Sequence, residues 1–193
     1  MKKKVLKMIL ISAIGVMFSS CSDTDDKSYD TPKNKVKLNI SFLDKKWDGK
    51  VVPKDEVCSE HNRNGVAGSS PALVISNLPN GTDYIVLSFS DETFKGMNNG
   101  GHGILGYSIE DVNTSPLTIP SVKGESFNLP KGFSIEKKHR GVKFGKKAGA
   151  YLAPCSGGGG NLYTVNVKAV DISKSSKDSY YVVGEKSLSL GRY

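Results

Sequence analysis

"NGVAGSSPALVISNLPNGTDYIVLSFSD", residues 64–91, sets the architecture. It holds two short runs, "ALVIS" (72–76) and "YIVLSFS" (84–90), with a polar segment between them. Both runs are short and rich in β-branched and aromatic residues, which fit a pleated, half-buried surface and read as strands. Asn80-Gly81 between them is a strong turn signal, because these two residues tolerate the positive φ of a tight turn. Similar runs recur in "VKLNISF" (36–42), "GILGYSI" (103–109), "LYTVNVKAV" (162–170) and "YYVVG" (180–184), punctuated by "NTSP" (113–116) and "SGGGG" (156–160). No window carries a long 3.6-residue period bounded by caps. The pattern predicts a mainly β protein, a sandwich with little helix.

The N-terminus is of a different kind. Lys2, Lys3, Lys4 and Lys7 precede the apolar run "MILISAIGVMF" (8–18), which is too short for a stable membrane span but suits a signal-peptide core. Ser19-Ser20-Cys21 then resembles a bacterial lipoprotein cleavage site, with Phe18 where that pattern has Leu. On this reading residues 1–20 are removed and Cys21 is acylated, anchoring the chain to a membrane of the bacterial cell envelope. An ordinary secretory signal is the other reading. Residues 21–36 are polar and rich in Asp and Lys, and read as a flexible tether before a domain over 37–193. Asp23, Asp25 and Asp26 resemble the surface-export signals of Bacteroidetes lipoproteins, which would put the protein on the outer membrane; a plain solvated linker explains them equally well.

Cleavage takes four lysines and no acids, so a net charge of +8 becomes +4. A mildly basic, exported chain points away from nucleic acid as a partner. If Cys21 is acylated, Cys58 and Cys155 are an even pair in an oxidising compartment, either joined as a disulfide or separately buried. Their spacing and the scattered histidines do not suit zinc. The run "KKHRGVKFGKK" (137–147) carries six Lys or Arg and no acid. Either it meets phosphate groups on a membrane or glycolipid surface, or it is a solvated loop. The glycines at 157–160 lack the Lys-Ser/Thr of a phosphate loop, and there is no dinucleotide fingerprint, so no cofactor is expected.

Five segments in order resemble the bacterial branch of the phosphatidylethanolamine-binding protein family: "WDGKVVP" (47–53), the stretch at 64–91, "GGHGILGYSIE" (100–110), "FGKKAGAYLAPCSGGGGNLY" (144–163) and "SLSLGRY" (187–193). The resemblance implies that family's antiparallel β-sandwich and a small pocket whose acidic, His and Tyr side chains surround an anionic group such as a phospholipid headgroup. Asp91, His102 and Tyr163 match the pocket motifs. Thr93 stands where a second Asp is expected, Asn161 replaces a second His, Gly103 replaces a Trp, and Ser156 and Gly157 replace paired prolines. The implied ligand set is therefore Asp91, Thr93, His102, Ser156, Gly157, Asn161 and Tyr163. With one Asp and one His lost, it suits a neutral or zwitterionic polar ligand better than a phosphate monoester. The glycines could turn backbone amides inward as an anion nest, or the wall has relaxed because binding was lost. Asp91 near His102 predicts a raised imidazole value and binding that titrates near neutral pH.

The expected protein is a non-catalytic envelope lipoprotein that binds a small polar, zwitterionic or anionic ligand, such as a phospholipid headgroup. The alternative is an interaction module, since members of the resembled family inhibit kinases or proteases; its protein partner is unknown. A hydrolase would need His102 to activate Cys155 or Ser156.

Overall fold

The computed structural model describes residues 27–110 and 115–193. The predicted signal peptide and Cys21 lie outside the described residues. The described residues form ten strands, in chain order β1 (Ser28–Asp30), β2 (Val36–Lys37), β3 (Ile40–Phe42), β4 (Leu73–Ile75), β5 (Tyr84–Asp91), β6 (Gly103–Ser108), β7 (Leu117–Ile119), β8 (Phe133–Lys137), β9 (Leu162–Asp171) and β10 (Ser179–Arg192). Among the described residues the only helical pieces are three 3₁₀ turns, Lys95–Met97, Arg140–Phe144 and Ile172–Lys174. The fold is the expected mainly β sandwich.

The large sheet runs β1-β10-β9-β5-β6-β8, with β2 also on β10, and the small sheet runs β3-β4-β7. The turn at Asn80-Gly81 forms as expected, with Gly81 at φ 82° and Thr82 N–H donating to Pro79 O at 3.2 Å. It does not close a hairpin. β4 belongs to the small sheet and β5 to the large one, so the turn carries the chain across the sandwich. Ile85, Leu87 and Phe89 of β5 point into the gap and meet Leu73 and Ile75 of β4 in one core with Leu105, Val165 and Val167. Each fully buried side chain of this kind contributes about 2 kcal/mol. The other face of β5 is covered locally too, where Val86 packs with Val170, Tyr180 and Val182.

"VKLNISF" does not form one strand. Leu38 turns into the core at 1% exposure, separating β2 in the large sheet from β3 in the small one. The predicted tether also needs correction at its C-terminal end. β1 pairs in parallel with β10, placing Ser28, Tyr29 and Asp30 opposite Ser179, Tyr180 and Tyr181. Tyr29 stacks on Tyr180 with ring centroids 6.2 Å apart, and the Lys27 ammonium sits 4.1 Å from the Tyr180 ring centre. A single tyrosine and three ladder positions offset the ordering entropy that the polar composition suggested would win.

Candidate functional site

Asp91 ends β5 and is 3% exposed. Its Oδ1 accepts the Thr93 and Phe94 N–H groups, each at 2.9 Å, which bends the chain into the Lys95–Met97 turn. Its Oδ2 accepts from Asn161 Nδ2 at 2.6 Å. Asn161 directly precedes β9, and the antiparallel register sets Tyr163 opposite Asp91. The Tyr163 hydroxyl accepts the Cys155 N–H at 3.2 Å. Burial pushes its pKa up to about 12, so it is a neutral phenol throughout the physiological range.

His102 directly precedes β6 and is clamped by three hydrogen bonds. Its N–H donates to Phe89 O, its carbonyl accepts from Leu152 N–H, and its Nδ1 lies 2.8 Å from Leu152 O. A carbonyl only accepts, so Nδ1 carries the proton and Nε2 is the acceptor of the neutral ring. The ring stands edge-on to Tyr163, with centroids 5.2 Å apart. Burial lowers the His102 pKa from 6.5 to about 4, against the Leu152 carbonyl and Asp91, which favour the charged form. The raised value expected from the sequence is thus reversed. Asp91 is near, but desolvation outweighs it.

Next to His102, Gly103 sits where the resembled family has Trp. Its φ is 118°, and a Cβ there would come within 2.3 Å of Ala150 O. Only glycine lets β6 pass this close to the 150–155 wall. That wall is held from outside by a disulfide between Cys58 and Cys155, whose Cα atoms are 5.2 Å apart. His61 brings a ligand atom within 4.8 Å of both sulfurs. Because the sulfurs are bonded to each other, they are not thiolate ligands for a metal.

Asp91, His102, Asn161, Tyr163, Cys155 and Ser156 converge on one cavity of about 100 Å³. Two residues of the predicted set stand outside its lining. Thr93 supports it from behind, its Oγ1 accepting Leu162 N–H at 3.0 Å. Gly157 faces away; a Cβ there would meet the His61 ring at 3.2 Å. The amides of Gly160 and Asn161 both donate to Tyr193 O. That of Gly159 donates to Ser156 O, and Ser156 Oγ also donates to Tyr193 O. The second half of the glycine run, Gly159 and Gly160, is thus spent on holding Ser156 and Tyr193 in place.

Phe94, Met97, Gly141, Phe144, Lys146 and Leu152, which the sequence did not single out, complete the cavity. Phe94 and Phe144 are 44% and 45% exposed and meet edge to face at 5.0 Å. Phe144 and Lys146 come from the basic run, which is not simply a solvated loop. His139 is buried, and its Nδ1 accepts Gly141 N–H, starting the 3₁₀ turn that brings this segment to the mouth of the cavity. The aromatic between two lysine pairs was the available signal. Lys146 Nζ pairs with Glu60.

The fold has solved counterparts. E. coli YbcL, a member of the mammalian PEBP (phosphatidylethanolamine-binding protein) family, superposes with a TM-score of 0.53 at 16% identity, over 82% of this chain and 98% of that one. A phosphatidylethanolamine-binding protein homolog from Chlamydia trachomatis gives 0.46 at 18% identity, over 81% and 97%. No protein-family model matches the sequence, and no curated protein sequence matches it either. The chain therefore has the phosphatidylethanolamine-binding protein fold.

Proposed function

We propose that this protein is a cell-envelope lipoprotein, acylated at Cys21, of the phosphatidylethanolamine-binding protein family, and that it binds a zwitterionic phospholipid headgroup without catalysis. The carrying observation is the convergence of Asp91, His102, Asn161 and Tyr163 on a cavity of about 100 Å³. That is below the roughly 300–1,000 Å³ typical of pockets for drug-sized ligands. It suits a group the size of a headgroup end. The lining offers one carboxylate, an acceptor nitrogen on neutral His102 and, at the wall, the Lys146 ammonium, which a ligand phosphate would share with Glu60. A ligand carrying both an ammonium and a phosphate matches that set; a bare dianion does not, because neutral His102 supplies no charge for it.

The rim agrees with a lipid. Exposed Phe94 and Phe144 offer apolar contact beyond the headgroup, and Lys143 and Lys147 are exposed on the segment that forms the mouth. Two observations support the non-catalytic reading. The Cys155 sulfur is bonded to Cys58, and the Ser156 hydroxyl is committed to Tyr193 O at 2.5 Å. Neither is a nucleophile held by a base.

Two measurements test this. Cys21→Ala should move the protein from the membrane to the soluble fraction or leave it unprocessed, whereas unchanged partitioning and mass would remove the lipoprotein assignment. Melting-temperature screening with glycerophosphoethanolamine should show a rise that is lost in Asn161→Leu. No rise, or a rise that survives that substitution, would remove the pocket assignment.

A further inference from the structure

The basic run at 137–147 carries cations that the headgroup pocket does not use. Lys143 and Lys147 are exposed, as is Lys95 on the facing 3₁₀ turn, and the three ammonium groups have no partner among the described residues. The acids around them are engaged. Asp91 is buried with both oxygens bonded, Glu92 accepts from the Thr164 hydroxyl, and Glu60 pairs with Lys146. The outward face of the large sheet is a contrast. A trough of about 510 Å³ lies there, floored by Ser88, Asn166 and Ser187, which stand side by side across β5, β9 and β10. Its Lys168 pairs with Glu185 at 3.4 Å, and its Glu136 accepts the hydroxyls of Tyr84 and Tyr180. Those charges are met inside the fold, whereas the cations at the mouth of the pocket are left for a partner.

The two turns at the mouth also hold apolar side chains out in solvent. Phe94 and Phe144 meet over Gly96, where a Cβ would come within 2.8 Å of the Phe144 ring. Val142, in the same turn as Phe144, is more than half exposed. Caps fix this arrangement. Asp91 Oδ1 holds the start of the first turn, His139 Nδ1 starts the second, and Gly145 ends it in the left-handed region at φ 77°. Single exposed apolar residues are ordinary, but three on two abutting turns, flanked by unpaired cations, form a patch.

From these features we infer that the mouth of the headgroup pocket is a docking surface for an anionic phospholipid bilayer, additional to the acyl anchor. Phe94, Val142 and Phe144 enter the interfacial layer, and Lys95, Lys143 and Lys147 meet the phosphates above it. Phe94 and Phe144 also line the pocket, so it opens where the rings enter. The choice of a bilayer over an acidic protein rests on that headgroup reading. The described chain starts at the other end of the large sheet. Ser28 lies opposite Ser179 and Tyr181 opposite Asp171, whereas the mouth is at the Leu162 end of β9, ten residues or about 30 Å away. Mouth and acylated Cys21 together would lay the strands along the membrane. The contact by itself is reversible and released by salt, so an unacylated chain washed in salt is still recovered as soluble.

The test is co-sedimentation of a chain of residues 21–193 carrying Cys21→Ser, which keeps every described residue and omits the apolar run 8–18 that would itself insert. The vesicles are phosphatidylcholine alone or equal parts phosphatidylcholine and phosphatidylglycerol, so that no phosphoethanolamine is present. The chain should bind the anionic vesicles, leave the neutral ones and come off in high salt. Lys143→Glu/Lys147→Glu should weaken binding about twentyfold or more, since each lysine near such a surface is worth about fivefold. Val142→Asp should weaken it about tenfold and keep the melting-temperature response to glycerophosphoethanolamine. Asn161→Leu should lose that response and still bind the vesicles, so that failure of the pocket and failure of the docking surface read differently. Four results overturn the inference: no binding to anionic vesicles, equal binding to neutral ones, unchanged binding in both rim variants, or loss of vesicle binding in Asn161→Leu. Dimers that Val142→Asp dissolves, without vesicle binding, would assign the patch to a second copy of the chain instead.

Discussion

The two concavities of this molecule are built on opposite plans. The small pocket is made where strands end. Its floor comes from residues directly before or at the ends of β5, β6 and β9, and its wall from an irregular segment pinned by the Cys58–Cys155 bond. Its polar groups are deeply buried: Asp91 is 3% and His102 4% exposed. The outer trough is made in the middle of strands, from rungs that hold each other by main-chain pairing. The pocket depends on tertiary fixtures and desolvation for its chemistry. The trough depends on which short side chains occupy one face of a sheet that folds regardless. Changes to the fixtures should therefore disturb the pocket first.

The largest effect is expected from removing the disulfide. Cys58 and Cys155 are 97 residues apart, and closing a loop of that length is worth about 4–5 kcal/mol in the chain-entropy model. The Cys58→Ala/Cys155→Ala chain should lose stability on that scale in urea unfolding. In native-state hydrogen exchange, amides at 150–156 should lose protection before those of β5 and β9. Equal loss at both places would erase the distinction between the two plans.

The next effect belongs to His102. Its pKa is about 4 folded against 6.5 unfolded. The unfolded chain thus takes up a proton in a range where the folded one refuses it. The resulting stabilisation is complete above about pH 6.5, is lost as pH falls toward 4, and amounts to about 3 kcal/mol. His102→Gln should flatten that part of the stability–pH curve. A curve with the same acid slope in the variant would place the titrating group elsewhere.

A smaller loss, about 2 kcal/mol, is expected for Gly103→Ala, from the combined strain of φ 118° and contact with Ala150 O. Headgroup binding should fall with it. Unchanged headgroup binding would show that the 150–155 wall tolerates a side chain at position 103.

These contrasts also explain what the sequence could and could not disclose. Strands β5, β6 and β9 were readable because "YIVLSFS", "GILGYSI" and "LYTVNVKAV" have the right composition and length, and the resemblance found Asp91, His102, Asn161 and Tyr163. The crossing of the 79–82 turn between sheets was not readable, since a turn signal fixes local φ and not the partner of the next strand. Phe94, Phe144 and Lys146 escaped because an exposed aromatic in a basic run looks like any loop until His139 is seen to bury and cap it. The direction of the His102 shift was misread because a neighbouring carboxylate shows in the sequence motif whereas complete desolvation does not. The trough was invisible for a further reason. Ser88, Asn166 and Ser187 are distant in sequence and become a row only through register.

The most direct test of the headgroup pocket is calorimetric titration of the Cys21→Ser chain with glycerophosphoethanolamine and with inorganic phosphate from about pH 5 to 8. With His102 neutral across that range, glycerophosphoethanolamine should bind with nearly constant affinity, and phosphate about tenfold more weakly or worse. Phosphate binding as tightly, with affinity falling as pH rises through the range, would mean that His102 is charged and the site is an anion pocket, contradicting the zwitterionic assignment.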